Sequence, residues 1–348
     1  MSREPTRRRA TLTDIAAAAG VTKGTVSKAL NGRDDISPET RERVLAVAAE
    51  LSYHPAAPSG VDVARRAIAV VFDIPASPYV LGVFEGVLAA ATEQGVDLLT
   101  RLAPAGPART QRAAAREWIA QQRAAGAIGI LAITLSRPDA LIDAATGANL
   151  PFVIVDPVDT LNPSMVSVGS SNWAGARTAT EHLIGLGHRR IGWIGGPDSS
   201  DAARDRLYGY QAAMDAARIP VDPALVRTGL FDVATGATFA RELLGAAKRP
   251  TAIMAADDEI AVGVLTTAHA MGLRVPEDLS VMGFDDTPQA AWTSPPLTTV
   301  HQHLDGMGAM GVQTIVSMAE GREPSSRHVE LATSLTVRES TGPVPAGA

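Results

Sequence analysis

The chain of 348 residues is 46% hydrophobic and 20% charged, a globular composition too long for one small domain and suited to a short module followed by two domains of ordinary size. It has no cysteine, which excludes a disulfide framework and a thiolate metal site, and no apolar run approaches the roughly 18 residues that a membrane span needs. The net charge of −6 is unevenly spread: residues 1–66 carry 11 Lys and Arg against 8 Asp and Glu and the remainder 20 against 29, so a positive end precedes an acidic body, as a DNA-reading head on a non-DNA body requires.

The leading MSREPTRRRA is charged and has no apolar core, so no secretory leader and no membrane association are expected, and the expected location is the cytoplasm. Arg7, Arg8 and Arg9 read equally as a tail without a role and as phosphate or minor-groove contacts. Leu12, Ile15, Ala16 and Ala19 then recur at i, i+3, i+4 and i+7, one apolar face of a two-turn helix. Gly20 stops it, Val21 supplies a buried contact in the turn, and Thr22 caps a second helix whose inward face is Val26, Ala29 and Leu30. The outward face is Lys23, Gly24, Thr25, Ser27 and Lys28, short, polar or cationic residues suited to a helix pressed into a DNA major groove. An ordinary helical hairpin with a solvated face is the alternative. The tight Ala-Gly-Val turn, the small outward residues and Asn31-Gly32 after the helix occur together and favour a helix-turn-helix. After a polar loop, Ser37-Pro38-Glu39 supplies a cap, a first-position proline and a first-turn acid. Val44, Leu45, Ala48 and Leu51 give the inward face of a third helix, which Tyr53-His54-Pro55 ends.

The stretch LTDIAAAAGVTKGTVSKALN closely resembles the DNA-binding headpiece of the LacI/GalR family of bacterial repressors, repeating its pattern LxDIAxxAGVSxxTVSxxLN with Thr22 where Ser is commoner. The resemblance is specific over residues 11–55 and continues through nearly the whole chain. It implies an all-α head over residues 1–55, with a DNA-contact set of Thr11, Thr13, Thr22, Lys23, Gly24, Thr25, Ser27, Lys28, Asn31 and Tyr53. The expected partners are a double-stranded, pseudo-palindromic operator and further copies of the chain, as a homodimer or tetramer, because two heads on half-sites about one helical turn apart multiply the small interface of one. The family also carries a short hinge helix after the head, with an Asn after the proline and a Leu wedged into the minor groove. This chain departs from it: Ala56 stands at the Asn position, Asp62 lies near that of the Leu, and Pro58 and Gly60 disfavour a helix. Residues 56–67 therefore read equally as a plain linker and as a hinge with Val61 or Val63 as its wedge.

From Ile68 the pattern becomes apolar runs alternating with helical stretches. Residues 68–72, 126–132, 152–155, 190–194, 252–255 and 280–284 read as buried parallel strands, with helices over 84–92, 174–185 and 260–271 among those between them, which means doubly wound α/β. Two such sets are expected, about 68–165 and 166–298. A helix over 304–320 and strands over 328–331 and 335–337 return to complete both. The resemblance implies the same layout: residues 68–348 as two periplasmic-binding-protein-like lobes with an effector cleft between them.

Ligands of open α/β sheets sit beyond the carboxyl ends of the strands. There the sequence places Asp73, Asp156, Asp257, Asp258, Asp285 and Asp286. So many carboxylates suggest metal or acid/base chemistry, yet no His stands near them at ligand spacing, and the chain has no GxSxG elbow, Walker loop or GxGxxG. The glycine-rich GWIGGP of residues 192–197 lacks the spacing and the Lys of a phosphate loop. No catalytic residue, metal or cofactor is expected, and the chain is not read as an enzyme. Carboxylates beside one Arg and aromatic faces describe a sugar site, because each hydroxyl both donates and accepts while the C–H face of the ring stacks on an aromatic side chain.

Arg206, in RDRLYGY, is the first candidate, and by resemblance it matches the arginine three residues before a glycine, here Gly209, that holds effector oxygens in the family. Asp285 matches the cleft carboxylate of GFDD, Asp257 a hydrogen-bonding position and Phe231 a stacking position; Asp73, Ser77 and Tyr79 belong to the turn of the first lobe that faces effector, although Ser77 stands where Asn is usual. With Asp156 these make up the effector set. Trp173 and Trp292 are further candidate platforms, Asp258 and Asp286 read equally as helix caps, and Trp193 and His188 read as structural. The function expected is a DNA-binding repressor of a carbohydrate-utilisation operon controlled by a small sugar. The alternatives are a purine or sugar-phosphate effector and a ligand-binding protein without DNA function.

Overall fold

The computed structural model describes residues 11–30, 36–51, 66–72, 77–104, 108–158, 162 and 164–345. Asn31, Tyr53, Asp73 and the hinge residues 56–63 lie outside them. The chain divides into two compact units, Met1–Ala64 and Arg65–Ala348.

In the first unit, α1 (Leu12–Ala19), α2 (Lys23–Leu30) and α3 (Pro38–Glu50) pack together. Thr11 and Asp14 form a reciprocal capping box on α1, the Thr11 amide donating to Asp14 Oδ2 at 2.8 Å and the Asp14 amide to Thr11 Oγ1 at 3.3 Å. Gly20 ends α1 with φ 66°, a left-handed cap that glycine adopts without the cost of a Cβ. The core is Ile15, Ala16, Ala19, Val26, Ala29, Val44 and Ala48, and each fully buried large member contributes about 1.5–3 kcal/mol. The third helix departs from expectation: Leu45 is 46% and Leu51 39% exposed, and Val47 takes the packed position beside Val44 and Ala48. Residues 44, 47 and 48 share one side of a 3.6-residue turn, and Leu45 is rotated away from it.

The second unit runs β1 (Ala67–Phe72), α4 (Pro78–Gln94), β2 (Asp97–Leu102), α5 (Ala108–Ala124), β3 (Ala127–Ile133), α6 (Asp139–Gly147), β4 (Phe152–Val155), β5 (Val166–Ser170) and α7 (Asn172–Gly185). It continues through β6 (Ile191–Gly195), α8 (Asp201–Ala216), β7 (Val226–Thr228), α9 (Val233–Leu244), β8 (Ala252–Ala255) and α10 (Asp258–Ala270). The last elements are β9 (Ser280–Asp285), α11 (Pro288–Trp292), β10 (Thr298–His301), α12 (Leu304–Ala319), β11 (His328–Leu331) and β12 (Ser334–Thr336). Among the described residues the strands form two sheets of six, ordered β11-β5-β4-β3-β1-β2 and β12-β10-β9-β8-β6-β7. All pairings are parallel except β10 with β12. The two doubly wound lobes are therefore as the sequence implied.

Their boundary moves slightly. Residues 166–170, expected to open the second lobe, are β5, which pairs with β4 and β11 in the first sheet. The chain crosses between lobes after β5, after β10 and after β11, so that α12 packs on α4 in the first lobe while β12 closes the second sheet. Strands absent from the sequence reading are β2, β5, β7 and β10. Their sequences DLLTRL, VSVGS, VRT and TTVH carry polar residues because β2 and β7 are sheet edges and β5 and β10 are seams to the crossing segments.

Helices meet closely where glycine replaces a side chain. A Cβ on Gly86 of α4 would overlap the Asp305 carbonyl, and one on Gly308 of α12 the Val83 carbonyl, so this pair of helices packs backbone to backbone. That contact fixes the first turn of α4, one wall of the cavity described next.

Candidate functional site

Two regions gather the candidate residues. In the first unit, the Thr25 amide donates to Thr22 Oγ1 at 3.2 Å, the cap expected for α2. Lys23, Gly24 and Lys28 are exposed along the helix, and Thr25 and Ser27 are half-buried beside them; Thr11, Thr13 and Thr22 are exposed around α1 and its turn. A Cβ on Gly24 would meet only Thr22 Oγ1, at 3.7 Å, so the fold itself has room for a side chain there.

In the second unit a cavity of about 380 Å³ opens at the carboxyl ends of the strands, within the size range of small-ligand sites. Ser77, Tyr79, Thr134, Ser136 and Asp156 line it from the first lobe, and Arg206, Phe231, Asp257, Glu259 and Asp285 from the second. Every candidate effector residue within the described part of the chain is thus brought to one cavity, across about 200 residues of sequence.

Arg206, 2% exposed on α8, organises the second wall. Its Nε donates to Asn172 Oδ1 at 2.7 Å, and its Nη1 donates to the Ala256 carbonyl at 2.7 Å and to Asp285 Oδ1 at 3.3 Å. The guanidinium carbon lies 4.0 Å from the Phe284 ring centroid and 5.8 Å from that of Phe231, a cation held between apolar faces. Gln302, on the segment between β10 and α12, donates to Asp285 Oδ1 at 2.6 Å and accepts from Ser170 Oγ at the end of β5. The crossing segments therefore share one polar network with the cavity wall. Phe231 reaches that wall because Gly196 has no Cβ to meet its ring, which accounts for Gly196 of GWIGGP without any phosphate.

Carboxyl groups surround this single cation. Burial raises Asp156, opposed by Arg206 and the Tyr79 hydroxyl. Burial also raises Asp285 well above the usual carboxylate range, with Arg206 opposing the shift and Asp258 and Asp257 adding to it. Asp257 is pushed up to about 7 by burial, against the Ile260 amide that donates to its Oδ1 at 2.7 Å. On the facing wall the Tyr79 hydroxyl is buried beside Asp156, and burial followed by the charge of Asp156 holds its pKa well above the ordinary value. Ser77 occupies the cap position of α4 yet makes no capping bond. The backbone is strained at the same place: Thr134, Asp156 and Asp285 have φ of 46°, 52° and 111°.

The remaining candidates have other work. Asp258 accepts from the Thr287 amide at 2.8 Å, its hydroxyl at 2.9 Å and the Thr299 hydroxyl at 2.6 Å, so it does not cap α10 and does not line the cavity. Asp286 accepts from Arg338 Nη2 at 2.6 Å and pairs with His301 and Thr336, pinning β12. Trp173 and Trp292 do not line the cavity: Trp173 lies 5.5 Å from the Arg177 guanidinium, and Trp292 is 78% exposed. Trp193 is core, and His188 is buried between Thr251, Ser280 and the Gly342 carbonyl. The sequence reading missed Thr134, Ser136, Asn172, Glu259 and Gln302. Thr134 and Ser136 follow β3 just as Asp156 follows β4, and the same strand-end rule finds them once small hydroxyls are weighed beside acids.

Residues 11–56 match the family model "Bacterial regulatory proteins, lacI family", and residues 180–341 match the periplasmic binding protein-like domain. The HTH-type transcriptional regulator CelR of Thermobifida fusca is 35% identical, over 96% of this chain and 99% of its own length. The ribose operon repressor of Haemophilus influenzae is 32% identical over 95% and 98%. Among solved structures, the transcriptional regulator CelR-cellobiose complex matches with a TM-score of 0.71 at 34% identity, covering 95% of this chain and all of that one. The lac repressor dimer bound to operator and an anti-inducer matches with a TM-score of 0.71 at 27% identity, over 96% and 100%.

Proposed function

This chain belongs to the lacI family of bacterial regulatory proteins, and on that premise we propose that it represses a carbohydrate-utilisation operon and releases its operator when a small neutral sugar enters the cavity. It is a DNA-binding transcriptional regulator with operator DNA, a sugar effector and further copies of itself as partners. No helix among the described residues is long and apolar enough to cross a membrane. Its relatives are regulators rather than enzymes.

The observation that carries the sugar reading is the pairing of walls: Ser77, Tyr79 and Asp156 from one lobe face Arg206, Asp257 and Asp285 from the other around about 380 Å³. Such a mixture of donors and acceptors beside the Phe231 ring suits a polyol with an apolar face. Arg206 is the one cation lining the cavity among the described residues and is already engaged by Asn172, Ala256 and Asp285, which favours a neutral sugar over a sugar phosphate. A ligand that contacts both walls favours one lobe arrangement, and this difference in affinity is what can act on operator binding. In the first unit Lys23, Gly24, Thr25, Ser27 and Lys28 enter the major groove, with Thr11, Thr13 and Thr22 on the flanking backbone.

A thermal-shift screen of sugars identifies the effector, since a ligand at 100 times its dissociation constant adds about 2.7 kcal/mol to the native state. Arg206→Ala and Asp285→Ala are then expected to keep operator binding yet lose release, giving permanent repression. Loss of a charged hydrogen bond costs about 1.5–3 kcal/mol and raises the effector requirement tenfold or more. Calorimetry beside an operator gel shift decides: unaltered sugar affinity removes Arg206 from the site, and a purine base that binds where sugars do not replaces the sugar.

A further inference from the structure

Beside the cleft, at the carboxyl ends of β1, β2 and β3, the first lobe holds a second cavity of about 400 Å³. Phe72, Leu102 and Leu135 form its apolar side, and Gln111, Ser136 and Arg137 its polar side. Ser136 lines both cavities, so the segment after β3 is their common wall. That segment is conformationally forced. Thr134 and Arg137, on either side of Ser136, have φ of 46° and 51°, left-handed backbone that non-glycine residues hold only where the surrounding structure imposes it and that clusters at ligand clamps. The Arg137 guanidinium has no hydrogen-bond or ion-pair partner among the described residues, and Leu102 is 63% exposed although it ends a strand.

We propose that this cavity is a second effector subsite and that the effector is a neutral oligosaccharide of at least two sugar units. One unit occupies the cleft against Arg206; the next lies across Ser136, with its C–H face on Phe72 and its hydroxyls at Gln111 and Arg137. The proposal rests on the reading of the cleft as a sugar site and adds its length requirement. The second cavity has the mixed lining that a glycosyl unit needs, an apolar face opposed by a few placed polar groups. Arg137 is also a charge that a phosphate would seek, and a sugar phosphate beside the neutral sugars in the titration separates the two.

The test uses the full chain and calorimetric titration with glucose, galactose, cellobiose, maltose, lactose, cellotriose and glucose 6-phosphate. A disaccharide that binds is expected to bind at least tenfold tighter than its own monosaccharides. Ala140→Phe, which places a ring in the second cavity from the first turn of α6, should abolish that advantage and leave monosaccharide affinity unchanged. Arg137→Ala, at an exposed position, should weaken disaccharide binding several-fold with monosaccharide binding intact. A monosaccharide that binds as tightly as its disaccharide, or a preference that survives Ala140→Phe, overturns the second subsite and leaves the cleft reading standing. Glucose 6-phosphate binding tighter than glucose in an Arg137-dependent way overturns it in favour of an anion. If no sugar binds, the reading of the cleft fails with it.

Discussion

At Asp257 the demands of the helix and of the cavity fall on one carboxyl group. Its Oδ1 caps α10 through the Ile260 amide, while burial raises its pKa from the ordinary 3.8 to about 7 with Arg206, Asp258 and Glu259 facing it. A folded pKa above the unfolded one means that the native state binds the extra proton. The stability this group contributes is therefore fully present below about 4 and is lost as pH rises toward 7. Asn caps helices as well as Asp does and carries no charge to bury, so Asp257→Asn is expected to flatten the stability curve between these pH values and to raise the melting temperature at pH 8. Thermal melts of both proteins from pH 4 to 8 check this, and parallel curves would show that burial does not perturb the group. Gly196 is a second decisive position: Gly196→Ala drives a methyl group into the Phe231 ring and should cost sugar affinity while operator binding holds.

Among the elements, α2 and the pair α4 and α12 carry separable consequences. On α2 the exposed Lys23 and Lys28 flank a bare Gly24. Lys23→Ala and Lys28→Ala are expected to weaken operator binding by about 1–3 kcal/mol for whichever contacts a base, with sugar affinity unchanged. A gel shift at fixed salt in which both variants match the wild type removes this helix as the reader. The α4 and α12 helices meet at Gly86 and Gly308, where an added Cβ runs into backbone that cannot rotate away. Gly308→Ala should destabilise the chain by about 1–3 kcal/mol through overpacking, read by denaturant unfolding. The first turn of α4 carries Tyr79, so the same variant should also loosen the sugar site.

For the whole molecule, an effector acts on operator binding only through a coupling free energy, typically about 1–3 kcal/mol, and the coupling is reciprocal. Saturating operator DNA should therefore weaken the effector's affinity by the factor, about 5 to 150, by which the effector weakens the operator's. Titrating effector into the free protein and into its operator complex measures both. Equal affinities would uncouple the cavity from DNA. The salt dependence of operator binding should be steep, because an acidic chain with a positive amino-terminal end gains DNA affinity by releasing counterions at a few phosphates.

The local signals were legible in the sequence because they depend on neighbours in the chain. Thr22 and Ser37 cap where the spacing places them, and Gly20 turns where a positive φ is needed. Buried parallel strands such as AIAVVF announce themselves by continuous apolar runs. Asp156, Asp257 and Asp285 were legible as cavity residues because doubly wound sheets open their clefts at strand ends. What depends on distant partners was decided only by the fold. The sequence could not show that Asp258 belongs to Thr287 and Thr299, that Asn172 and Gln302 hold Arg206 and Asp285, or that Leu45 turns outward while Val47 packs. Edge and seam strands escaped for the same reason, since their polarity reflects a position in a sheet. The union of Tyr79 with Arg206 at one cavity exists only once three chain crossings bring two separately wound sheets together, because a side chain's chemistry is local but its partners are set by topology.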